Sequence, residues 1–303
     1  MKKITLLTLS ALISLSLHAS DQAHNHLFIS GNTFKTIAHH CFDETTPTRF
    51  DPKNVRPYDI IFVKVDFVRT FFEELHPHIQ GKYILITHNG DLSPVFSTTQ
   101  NDVQHKQNLT PYLDDPKLVV WFAQNIDYVH PKLKPIPIGI ANPQWGHGNV
   151  AMFRNATKDI PALSQRYNKA YLNFIVHSNT KERAAVLDYF KNKPFAHVAS
   201  FKEPKEYLNE VKNYRFVVSP AGNGLDCHRT WEALLMGCIP IVKHSFLDPL
   251  FEGLPVVVVD QWSEVTQSFL DKKFSEIQNT TYNIEKIYAE YWINLIKSYQ
   301  VYG

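Results

Sequence analysis

Paired carboxylates, basic runs and long apolar stretches are all scarce in this chain. No Asp-x-Asp occurs, so a common acidic device for holding a divalent ion against phosphates is missing. No block of five Lys/Arg residues occurs, and the formal net charge is only +2. Nucleic acid is therefore excluded as the main partner. The three cysteines are Cys41, Cys227 and Cys238. On one helix the last two would stand roughly 16 Å apart, too far for a disulfide. They read as small core residues, with no disulfide framework. The 15 histidines invite a metal reading, but His39-His40 and His76-Pro77-His78 lack the spacing and company of a zinc site. No metal site is expected.

The first residues have the form of a secretory signal. Lys2 and Lys3 precede the uncharged Ile4–Leu17 stretch, and Ala19 stands at a plausible cleavage point. That stretch is shorter than the ~20 residues of a membrane span. Residues 1–19 are thus expected to be a signal peptide, or else an uncleaved anchor that would be the protein's only membrane association. The expected location is an exported one, periplasmic or in a secretory lumen.

At 303 residues and 44% hydrophobic content, the rest can bury two moderate cores. Strand-like and helix-like segments alternate, which predicts parallel α/β layers. Strands are expected at His26–Ser30, Asp59–Val65, Lys82–Thr87, Leu118–Phe122 and, at an edge, Ile136–Ile140. Turn-forming residues from Asn142 to Asp159 read as a passage between domains. The alternation then restarts with strands at Ala170–Val176, His197–Ser200, Arg215–Ser219, Ile239–Lys243 and Val256–Val259, and one long final helix at Tyr282–Tyr299. The expected division is 20–155, 156–280, and a helix at 281–303 that returns to the first domain.

The most informative segment is RFVVSPAGNGLDCHRTWEALLMGCIPIVK, Arg215 to Lys243. It predicts a buried strand, a loop with two glycines, a helix over Asp226–Gly237 and a second buried strand. A Gly-containing loop entering a helix offers backbone N–H groups and the positive end of the dipole, which suit phosphate. His228 and Arg229 add cationic character where a helix start usually prefers acids. Trp231, Leu234 and Leu235 fall on the packing side, with Arg229 and Glu232 opposite, one turn apart. Such a pair could bind a diphosphate and a sugar diol, or form an i, i+3 ion pair on a solvated face. Lys243 and His244 point to the same carboxyl edge of the sheet.

This segment resembles the donor-binding signature of exostosin-like (family-47 type) glycosyltransferases, closest to the ribitol xylosyltransferase-like branch and its bacterial relatives. YILITHNGD (Tyr83–Asp91), WFAQNID (Trp121–Asp127), PIPIGIANPQWGHGN (Pro135–Asn149) and HSNTKERAAVLDYF (His177–Phe190) are similar to the same branch. The resemblance implies a GT-B architecture, two Rossmann-like domains facing across a cleft. It also implies inverting transfer of a sugar from a nucleotide donor, with uridine favoured as its base, to a glycan or other hydroxyl acceptor. Donor contacts are then expected from Asn179, Arg183, Ser219, Gly222, Asn223, Gly224, Asp226, His228, Arg229 and Glu232, with Glu232 on the ribose. The base is expected at His88 or Asp91, which follow a strand end, with Asp127 next. No cofactor is expected, and no divalent metal is essential to the expected chemistry. The alternative is an exported two-domain solute- or glycan-binding protein without catalysis, which would not need the cationic Gly-loop.

Overall fold

The computed structural model describes residues 27–45, 50–95 and 108–300; the expected signal segment lies outside them. Two separate five-stranded sheets form, each entirely parallel. The first runs in order β1 (His40–Phe42), β2 (Asp59–Lys64), β3 (Tyr83–His88), β4 (Leu118–Ala123), β5 (Leu133–Pro135). In the second the order is β10 (Val257–Val259), β9 (Ile239–Lys243), β8 (Tyr214–Val218), β6 (Tyr167–Leu172), β7 (Ala196–Val198). The fold is therefore α/β with two Rossmann-like halves.

The central strands are apolar on both faces because both faces are covered. Ile60, Ile61, Phe62 and Val63 of β2 are all buried, as are Ile84, Leu85 and Ile86 beside them. This is the continuous apolar pattern of parallel strands between helical layers. In β8 the faces separate. Val217 joins a cluster that also takes in the first half, while Phe216 and Val218 pack with Val186 and Phe190 on the other side.

The longer helices are α1 (Gly31–Thr36), α2 (Val150–Ala156), α3 (Thr180–Phe190), α4 (Pro204–Val211), α5 (His228–Leu235), α6 (Gln267–Gln278) and α7 (Ala289–Ser298). Several expectations need correction. His26–Ser30 forms no regular strand among its described residues, only a single bridge from Phe28 to Tyr288, and Ser30 instead caps α1 through the Thr33 N–H. The edge strand is Leu133–Pro135, not Ile136–Ile140. After Ile136 the backbone N–H groups leave the ladder, that of Ile138 going to Asp226 Oδ2 and that of Ile140 to Ile29 O. The Asn142–Asp159 passage is partly helical, since Asn149 caps α2 by accepting from Met152 N.

The final helix is not continuous. Ile284–Ile287 is a 3-10 turn, and Tyr288 is extended so that Ala289 N–H can donate to Leu27 O at 2.9 Å. Beyond it, the Tyr299 ring meets Phe122 and Gln300 Nε2 donates to Tyr58 O, so α7 packs on the first half. Among the described residues no helix is long and apolar enough to cross a membrane.

Candidate functional site

In the second sheet the chain goes from β6 outward to β7, then returns to place β8 on the opposite side of β6. The loops after β6 and β8 diverge there, and such a switch point leaves a crevice at the carboxyl edge. α5 begins in this crevice. Its N-cap, Cys227, makes no side-chain capping bond, and the first turn holds no acid. The first N–H groups of a helix lack intrahelical acceptors. The Asp226 carboxylate just before the N-cap takes from this helix only the Cys227 N–H and the Trp231 indole, so the positive end of α5 still favours an anion.

Arg229 lies beside it. Its Nε donates to Asn173 O at 2.8 Å, just past the end of β6, and Phe174 stands 5.4 Å from its Cζ. Nη1 is buried with no hydrogen-bond partner. Glu232 follows one turn on; both side chains are half-buried, and no ion pair joins the two. Burial pushes the Glu232 carboxyl up to about 7, against the pull of Arg229. Tyr207 of α4 is enclosed with them, its hydroxyl also without a partner and its pKa raised, first by burial and then by Glu232. An unpaired buried donor is costly, so this polar group is suited to a ligand that completes it.

Most other expected donor contacts are engaged by the protein itself. Asn179 is the N-cap of α3 and accepts from Glu182 N. Arg183 is buried; its Nε donates to Ala221 O, Nη1 to Ile175 O and Ser178 Oγ, and Nη2 to Pro220 O. It ties the two switch-point loops together instead of presenting a free cation. Gly222 is needed for that tie, because a Cβ there would lie 2.7 Å from Arg183 Nη2. The Ser219 hydroxyl pairs with that of Thr230 at 2.9 Å. Lys243 is exposed, and His244 Nδ1 meets Asp248.

The glycine loop also clasps the facing half. Asp226 is buried; its carboxylate accepts from Ile138 N (2.8 Å), Cys227 N (2.9 Å) and Trp231 Nε1 (2.8 Å). Burial raises its pKa to about 6 despite those donors. Asn125, with φ of 56°, accepts from Asp226 N at 2.8 Å and donates to Asp91 O at 3.1 Å. Gly224 permits this approach, since its Cβ would fall 2.4 Å from Asn125 Nδ2. Asn223 Nδ2 donates to Asp91 Oδ2 at 3.2 Å. Asp226 and Gly224 are therefore parts of the joint, where a phosphate cradle was expected.

Next to the joint, on the first half, is a pocket of about 350 Å³. The ends of β2, β3 and β4 supply Lys64, His88–Asp91 and Gln124; the loop after β5 supplies Asn142 and Trp145; α5 supplies His228. Gln124 is 3% exposed and its Oε1 has no partner. Trp145 is 59% exposed, an open ring face at the mouth.

His88 is not poised as the base in this arrangement. Its Nδ1 accepts from Asn89 N at 2.8 Å, and its Nε2–H donates to Pro137 O at 3.1 Å. Both nitrogens are taken, and burial lowers its pKa to about 4. Asp91 is exposed in the pocket. Asp127 does not line it; its carboxylate accepts from the Ser93 hydroxyl. His228 differs from His88. Its Nδ1 lies 2.7 Å from Gly139 O, which only accepts, so Nδ1 carries the proton and Nε2 is left as an acceptor. Burial lowers its pKa; the Gly139 bond opposes this, His147 reinforces it, Asp91 opposes and Arg229 reinforces.

Gln124, Asn125, Asn142 and Trp145 were not singled out by the sequence reading, although they stand in WFAQNID and PIPIGIANPQWGHGN. Polar residues immediately after an apolar strand were the available signal. Among the described residues no group of three His, Cys, Asp or Glu side chains could hold a metal ion.

No protein-family model and no curated protein matches the chain. Among solved structures, it is similar to UDP-GlcNAc 2-epimerase from Methanocaldococcus jannaschii, with 10% identity over 80% of this chain and 77% of that one and a TM-score of 0.33. A likeness this loose carries no argument about activity.

Proposed function

We propose that the protein is an inverting glycosyltransferase that uses a nucleoside-diphosphate sugar and delivers the sugar to a hydroxyl acceptor in the facing pocket. The observation that carries this reading is Arg229. A guanidinium with a buried, unpartnered Nη1, beside an uncapped helix start at a switch point, answers the need of a diphosphate. Glu232, one turn along α5 from Arg229 and with its carboxyl raised to about 7 by burial, is the proposed partner of the ribose hydroxyls. The motif resemblance to exostosin-like transferases supports the same reading.

The chemistry follows from the charges. As the glycosidic bond to phosphate breaks, negative charge grows on the leaving diphosphate, and fixed donors at that point lower the barrier. The acceptor hydroxyl must be held and relieved of its proton. Gln124 Oε1, Asp91 and the Trp145 ring give the pocket acceptors and an apolar face suited to a polyol or sugar.

The test is release of nucleoside diphosphate from a panel of nucleotide sugars, with and without glycan or polyol acceptors. Acceptor-stimulated release is expected. Glycan binding with no release from any donor would instead favour the non-catalytic binding protein.

A further inference from the structure

We infer that His228, a residue of the second half, is the general base that takes the proton from the acceptor hydroxyl. The inference rests on the glycosyl-transfer reading above. Gly139 O fixes the ring in the Nδ1–H form, so Nε2 keeps its lone pair on a side chain that lines the acceptor pocket. The arrangement has the logic of a base oriented by a third group. His88, the other imidazole of the pocket, has no free nitrogen. His228 also directly precedes Arg229 in α5, which puts proton acceptor and diphosphate partner on one rigid turn.

In the step, the acceptor O–H gives its proton to Nε2 and the oxygen pair forms the new bond to the anomeric carbon. The bond from that carbon to the phosphate oxygen breaks, and its electrons leave on the nucleoside diphosphate beside Arg229. The imidazolium then returns its proton to water. Only the neutral ring works, so activity should fall in acid. The charged and titratable groups around the ring are Arg229 on its own helix, and Asp91, His147 and the neutral His88 on the facing half, with Lys64 and Glu44 across the pocket. Burial first, then His147 and Arg229, disfavour the imidazolium against the pull of Gly139 O and Asp91, which places the acid limb below the ordinary histidine value near 6.5.

The test variant is His228→Asn, whose amide N–H can still donate to Gly139 O but which has nothing in place of Nε2. Donor KM should be retained while kcat falls about 10²–10⁴-fold and the acid limb disappears. In the unaltered protein, long-range proton–nitrogen spectra of labelled histidines should show an Nδ1–H ring that is absent from His228→Asn. An Nε2–H or imidazolium form of that ring at pH 7.5 would overturn the assignment. Turnover whose rate and acid limb survive in His228→Asn would overturn the base alone and leave Asp91 in that role. No turnover by the unaltered protein with any donor would overturn the base and the glycosyl-transfer reading together.

Discussion

Replacing Gly224 by alanine tests the joint between the halves. The added Cβ would sit 2.4 Å from Asn125 Nδ2 and 2.8 Å from Asp91 O. Neither neighbour can give way easily. Asp91 O is backbone, and Asn125 is held by the Asp226 N–H it accepts and the Asp91 carbonyl it donates to. Overpacking of this kind costs about 1–3 kcal/mol. If Asn125 swings aside, the buried Asp226 N–H loses its acceptor for about 1–3 kcal/mol more. The expected total is a loss of about 2–6 kcal/mol in urea unfolding. Asn223→Ala, one residue away, removes only an exposed 3.2 Å bond to Asp91 and should change stability by less than about 1 kcal/mol. Gly224→Ala with unchanged stability would refute the close approach of the loops.

Two further outcomes follow from the site. His88 is held neutral, with its pKa lowered to about 4 by burial. The unfolded ring protonates below pH 6.5, so stability from this group is present above 6.5 and is lost as pH falls toward 4. Between pH 6.5 and 5 the loss is about 2 kcal/mol, and it should be absent from His88→Gln in paired urea titrations. Asp226 acts in the opposite sense, since its raised pKa adds stability as the pH falls below about 6, but it is common to both proteins. The second outcome concerns metal. If Arg229 and the helix start balance the diphosphate, turnover should survive EDTA, and complete loss restored by manganese would refute that balance.

The sequence made the layers legible and left their contacts hidden. DIIFVK and YILITH are apolar at successive positions, so their burial on both faces needed no tertiary information. Pro135 and Pro137 marked an edge strand, but its position depended on where the N–H groups of Ile138 and Ile140 find acceptors, which lie on Asp226 and Ile29. The same limit applies to the site. Arg229 and Glu232 stood out together from the helical period, but nothing local distinguishes a ligand-binding pair from a solvated ion pair, because Tyr207, whose hydroxyl feels the Glu232 charge, comes from another helix. The glycines of AGNG could be read as phosphate-binding or as close-packing residues. Only the positions of Asn125 and Arg183, 99 and 39 residues from Gly224 and Gly222 by their numbering, decide between these. His88 and His228 are indistinguishable as letters; one differs from the other by which nitrogens the backbone occupies.

The central claim is that Arg229 meets the diphosphate, and calorimetric titration of a nucleoside diphosphate into the unaltered and Arg229→Ala proteins tests it directly. Arg229 makes one backbone hydrogen bond, from Nε to Asn173 O, so the variant should stay folded at a cost of about 1 kcal/mol. Its buried Nη1 has no partner in the protein to lose. Binding should weaken by about 1.5–3 kcal/mol, the range for hydrogen bonds to charged groups, and transfer should lose about 2–4 kcal/mol of transition-state stabilisation. Equal nucleoside diphosphate affinity in a folded Arg229→Ala protein would contradict the account.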